Sequence, residues 1–138
     1  TFSADNHLRW PVDGDVLLNY SMDKSIYFST LNQYKYHPAV VIAAELGSEV
    51  RSVARGKVSQ IRNDEETGTT LTMELGNGYE AIYGQLADLT VEEGDTIEAG
   101  TLIGYVGEPT KYYTLEGSNL YFQLLKDDDP VNPMDFLE

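Results

Sequence analysis

Turn glycines punctuate this chain from end to end, and the apolar runs between them are short. No stretch sustains the 3.6-residue period of an amphipathic helix, so strands joined by tight turns are the fold open to it. Leu71, Met73 and Leu75 alternate with Thr70, Thr72 and Glu74, which predicts a half-buried strand. Gly76-Asn77-Gly78 follows. Asn-Gly tolerates the positive φ of a two-residue hairpin turn, so Tyr79 to Tyr83 is predicted to return as the partner strand. Val58 to Arg62 reads as another strand, closed by the turn-rich run Asn63 to Gly68, with Asp64-Glu65-Glu66 at a hairpin tip. Ala39 to Ala44 is continuously apolar and suits a strand covered on both faces. Leu120 to Leu125 is a further strand, ended by Asp127-Asp128-Asp129-Pro130. Three adjacent carboxylates lack the alternating ligand spacing of a calcium loop, so a solvated turn is expected there.

The chain also echoes itself. Gly47-Ser48-Glu49-Val50 leads through Gly56 into Val58, and Gly94-Asp95-Thr96-Ile97 leads through Gly100 into Leu102 to Val106. Two such halves suit a small flattened barrel or sandwich and are too few for a solenoid. A length of 138 residues suits one domain. Residues 1–9 read as a polar lead-in and residues 10–138 as a single all-β, mainly antiparallel domain.

Nine basic against 23 acidic side chains leave a net charge of −14. That balance excludes a nucleic-acid partner, which needs clustered Lys and Arg, and disfavours an anionic membrane surface. There is no cysteine, hence no disulfide and no thiolate zinc site. No apolar run approaches the ~20 residues needed to cross a bilayer, and none has the makeup of a secretory signal.

Several motifs, in order, resemble the LytM or lysostaphin-like zinc metallopeptidases, which cut peptide bonds in bacterial peptidoglycan. Trp10-Pro11-Val12-Asp13-Gly14 is like that family's opening, and His37-Pro38-Ala39-Val40-Val41-Ile42-Ala43-Ala44 is similar to its His-x-Gly-x-Asp-Ile-Ala-Ala. Gly56-Lys57-Val58 resembles a strand start of the family. Gly76-Asn77-Gly78-Tyr79 to Tyr83-Gly84-Gln85-Leu86 resembles Gly-Asn-Gly…Tyr-x-His-Leu. Gly94-Asp95 to Val106-Gly107, Asn119-Leu120-Tyr121-Phe122 in place of His-Leu-His-Phe, and Val131-Asn132-Pro133 complete the likeness. It spans Trp10 to Leu137 and implies an antiparallel barrel-sandwich hybrid, a duplicated motif with a groove.

The resemblance implies a zinc held by His, Asp and His, with water in the open position. Zinc lowers the pKa of that water to about 7 and polarises the scissile carbonyl. Carried over residue by residue, the chemistry does not survive. His37 keeps the first ligand position, but the Asp position is Val41 and the last ligand position is Tyr121. An isopropyl group offers no electron pair, and a phenol of pKa near ~10 is a poor ligand. The two proton-transfer positions are Gln85 and Asn119, whose amides exchange no proton near neutral pH. The other histidine, His7, lies in the lead-in. Neither a catalytic residue nor a metal is therefore expected. The replacements are neutral, and amides can satisfy each other, as a site emptied of its ion requires.

By the same comparison Asn32–His37 and Pro109–Asn119 border the groove, so Tyr34, Tyr36, Tyr112 and Tyr113 join His37, Gln85, Asn119 and Tyr121 as candidate binding residues. Exposed aromatics there suit a glycan or a protein partner. The expected function is a catalytically inactive peptidoglycan-endopeptidase-like domain. It would serve as a binding or regulatory module outside the cytoplasm, at a bacterial cell envelope, with peptidoglycan or an envelope protein as partner. A membrane anchor in a longer parent protein stays open. The competing reading is a zinc endopeptidase that cleaves peptidoglycan cross-links through an unconventional site. A biotinyl or lipoyl carrier has a similar glycine–valine rhythm but modifies a Lys at a hairpin tip. The tips here, Asn77-Gly78 and Asp64 to Gly68, hold none.

Overall fold

A computed structural model describes residues 6–18, 20–28, 33–110 and 117–137. In chain order the strands are β1 (Val16–Leu18), β2 (Ser21–Phe28), β3 (Gln33–His37), β4 (Val40–Ala43), β5 (Glu49–Arg51) and β6 (Gly56–Asp64). There follow β7 (Gly68–Gly76), β8 (Tyr79–Ala87), β9 (Thr96–Ile97), β10 (Leu102–Val106), β11 (Asn119–Lys126) and β12 (Asp129–Val131). A 3-10 turn, Pro133–Asp135, follows near the end of the described chain, its Met134 amide donating to the Asn132 side chain.

Ten strands form one sheet, in the order β1-β4-β11-β8-β7-β6-β9, with β12 beside β11 and β10 bridging β5 and β8. β2 and β3 make a separate antiparallel pair. Every strand pairing is antiparallel, as the alternating pattern and short turns demand. Between β7 and β8 the two-residue loop is Asn77-Gly78, at φ 53° and 83°. Positive φ at both positions is what a twist-matched hairpin turn needs. The acidic run is the turn from β11 into β12: Asp127 and Asp128 take φ 51° and 69°, and Lys126 pairs with Asp129.

The sequence echo has a structural counterpart. β5 of the first copy pairs with β10 of the second, and β6 of the first pairs with β9 of the second. Each half thus supplies the other's partner strand.

Register assigns the faces, because successive side chains alternate. Val40 and Ile42 of β4 oppose Phe122 and Leu120 of β11. Phe122 and Leu124 oppose Tyr83 and Ala81 of β8, which oppose Leu71 and Met73 of β7. All of these are buried and form the core. The Tyr83 ring packs on Phe122 at 5.3 Å, and its hydroxyl accepts from the Val53 amide at 3.0 Å. Burial pushes this phenol up to about 12.

Two sequence expectations differ from what is found. β7 is not half-exposed: Thr70 and Thr72 are buried along with Leu71 and Met73. The second face is covered as well, and Thr70 meets its polar needs locally, through the Gly68 carbonyl at 2.9 Å and the Thr67 hydroxyl at 2.7 Å. Within the segment read as a polar lead-in, Leu8 is 1% exposed and belongs to the core. Its amide donates to the Phe136 carbonyl at 2.8 Å, and it bridges to Leu137.

Candidate functional site

The face of the sheet opposite the core carries the positions singled out above. Tyr121 on β11 stands directly across from Val41 on β4 on one side and from Gly84 on β8 on the other. Asn119 lies two residues along the same face, opposite Ala43. Gln85 follows Gly84 with φ 61°, a left-handed conformation that side chains rarely adopt. It is fixed there because its amide donates to the Thr67 carbonyl while its own carbonyl accepts from Gly107 at 2.8 Å.

Val41, Gln85 and Asn119 are 0%, 1% and 0% exposed, and Tyr121 is 7% exposed, so these four are packed inside. The two amides meet: Gln85 Nε2 donates to Asn119 Oδ1. Gln85 Oε1 accepts from the Thr110 amide at 2.9 Å, and Asn119 Nδ2 donates to the Gly117 carbonyl at 2.6 Å. Gly84 is required by this closeness. A Cβ there would stand 3.0 Å from the Cβ atoms of both Thr67 and Tyr121.

Burial holds the Tyr121 phenol above its ordinary range, and the nearby Glu66 and Asp64 carboxylates push the same way. Asp64 is itself held below the usual carboxylate range, chiefly by the Thr67 amide, which donates to Oδ1 at 3.1 Å. The hairpin tip therefore presents an ionised Asp64 toward a neutral phenol.

These donors do not fit zinc. Val41 contributes no lone pair, Tyr121 is kept protonated, and no group of three His, Asp or Glu side chains able to hold a metal occurs among the described residues. His7 is exposed beside Val53, Ala54, Arg55 and Ala99, apart from the residues named above. His37 ends β3, paired through its backbone with Ser21. The side chains of His37, Tyr34 and Tyr36, and all of Tyr112 and Tyr113, lie outside the described part of the structure. An open cleft of about 1100 Å³ lies at the adjoining end of β4, walled by Trp10 and lined by Asp13, Asp15, Glu45 and Ser118.

Two residues of the site are absent from the sequence reading, Thr67 and Thr110. Thr67 meets Gln85 through its carbonyl, and Thr110 meets it through its amide. Both contacts use backbone atoms, which any residue type supplies, so no side-chain motif could have flagged them.

The chain belongs to peptidase family M23, which matches residues 35–133. Stage II sporulation protein Q of Bacillus subtilis is 26% identical over 109 residues, covering 78% of this chain and 38% of that protein. Murein hydrolase activator EnvC of Escherichia coli is 29% identical over 129 residues, covering 93% of this chain and 28% of the relative. The chain thus spans well under half the length of these relatives. Among solved structures, a chain of the SpoIIQ-SpoIIIAH pore forming complex superposes with a TM-score of 0.81 at 22% identity, over 99% of this chain and 93% of that one. Among the described residues, no helix is long and apolar enough to cross a membrane.

Proposed function

We propose that this M23 domain is a non-catalytic binding or regulatory module of the bacterial cell envelope. The observation that carries this is the cross-strand pair Val41–Tyr121, a buried aliphatic group facing a buried neutral phenol where two metal ligands are required. Water activation needs a Lewis acid, and proton transfer needs a group that titrates near neutrality. The Gln85 and Asn119 amides supply neither, and both are engaged with each other and with backbone. The names of the relatives support the reading: one is an activator of murein hydrolases, and another is found in a complex with SpoIIIAH. By this likeness the partner is an envelope protein or peptidoglycan, and the location is outside the cytoplasm.

The test is direct. The purified domain, dialysed against limiting zinc, is expected to hold no stoichiometric zinc and to release no peptide from peptidoglycan. One zinc per chain, lost in His37→Ala and accompanied by hydrolysis, would refute the proposal.

A further inference from the structure

The Gln85–Asn119 contact is one link in a longer chain of hydrogen bonds. The Thr110 amide donates to Gln85 Oε1, Gln85 Nε2 donates to Asn119 Oδ1, and Asn119 Nδ2 donates to the Gly117 carbonyl. Every donor points the same way along the line from Thr110 to Gly117. Aligned hydrogen bonds polarise one another, and in a buried setting each is strengthened. Each amide both donates and accepts along this line, a pairing that Asn and Gln side chains are built for.

A third element joins the line. The Thr110 hydroxyl donates to the Glu66 carbonyl at 2.6 Å, and the Gln85 amide donates to the Thr67 carbonyl. The β6–β7 hairpin tip is thereby drawn over β8. The tip packs against both residues: a Cβ on Gly68 would stand in ordinary van der Waals contact with Thr110 Cγ2, at 3.4 Å, and with Gln85 Cα, at 3.5 Å. Gln85 keeps its left-handed backbone under these constraints, and such a conformation persists only where its surroundings over-determine it.

We propose that Gln85 and Asn119 are positioning residues forming an amide clasp, which ties the β6–β7 tip, through Thr110 and Thr67, onto β8 and β11 at the site. Its purpose, though not its geometry, rests on the non-catalytic role proposed above. The positions that the resemblance gives to proton transfer here hold the β6–β7 tip beside Tyr121.

Amide hydrogen exchange followed by NMR tests the clasp. In the wild-type domain the Thr110 amide is expected to be protected. Gln85→Met and Asn119→Leu remove the amide groups at similar volume. Each is expected to speed Thr110 exchange roughly tenfold while leaving the Val53 amide, bonded to Tyr83 in the core, unchanged. Tyr121, unreactive toward N-acetylimidazole in the wild type, should become acetylated in both variants. A Thr110 amide that exchanges freely in the wild type would overturn the clasp, as would variants that accelerate Thr110 and Val53 alike. Should a core variant fail to fold, Thr110→Ala removes only a half-buried hydroxyl; Tyr121 labelling is expected to rise, and unchanged labelling overturns the proposal. Zinc binding or hydrolysis by the wild-type domain would sink the non-catalytic role alone, and the exchange rates would still judge the clasp.

Discussion

Val41 and Tyr121 show how much one pair of positions can decide. They are direct cross-strand partners, so the Cβ atoms of whatever residues occupy them stand roughly 5 Å apart. A carboxylate at 41 without a metal is a buried, uncompensated charge. Val41→Asp is accordingly expected to cost about 3–5 kcal/mol at neutral pH. Burial raises the folded pKa of the new carboxyl. The protonated form is therefore favoured in the fold, and the penalty shrinks as pH falls through that raised value toward the unfolded one. Urea unfolding across pH checks both the size and the sign, and wild-type stability at pH 7 would contradict the argument. Pairing the change with Tyr121→His is expected to make stability rise on adding zinc, whereas Val41→Asp alone should show no such rise. These two positions were legible in the sequence because a motif fixes their place. Thr67 and Thr110 were not, since they meet Gln85 through backbone atoms that every residue carries.

Among the elements, the β7–β8 hairpin was the most readable. Alternation set its strands, and Asn77-Gly78 set its turn. What alternation could not show was that β7 is covered on both faces, because Thr70 and Thr72 are polar yet buried, Thr70 with local partners. The same hairpin contains a cost. Glu74 and Glu80 are paired directly across the two strands. Glu80 is held above the ordinary glutamate range, first by burial, then by the Asp128 and Glu74 carboxylates. A raised folded pKa adds stability that is fully present below the unfolded value and is lost as pH rises through the folded one. At neutral pH the ionised Glu80 is therefore unfavourable. Glu80→Gln is expected to stabilise the domain by about 0.2–1 kcal/mol at pH 7, in the range of a cross-strand pair. The advantage should fade below about pH 4, where glutamate is protonated in both states. Thermal melts at the two pH values decide it: an equal gain at both would show that charge is not the cause.

At the scale of the molecule, the exchange of strands between the two echoing halves makes the sheet a single unit, since β5 and β6 each pair with a strand about forty to fifty-five residues away. The repeat of glycines made the two halves visible in the sequence. Their mutual pairing was not visible, because pairing is a long-range property and each half carries only local turn signals. The same holds for Leu8. It stands in a polar stretch with no periodic neighbours, so nothing local marks it as core. Yet it is among the larger fully buried side chains, and it joins the two ends of the described chain through Phe136 and Leu137. Phe136 in turn meets the Tyr79 ring edge-on at 5.8 Å, which links this closure to the start of β8. Leu8→Ala is therefore expected to cost about 2–4 kcal/mol, the range for a buried leucine that leaves a cavity. If closure is integral to the sheet, denaturant unfolding of the variant should remain one transition at lower midpoint with an unchanged slope. A lower slope, or an early separate phase seen by the Trp10 fluorescence alone, would mean instead that residues 6–10 detach before the sheet and that the core proper begins after them.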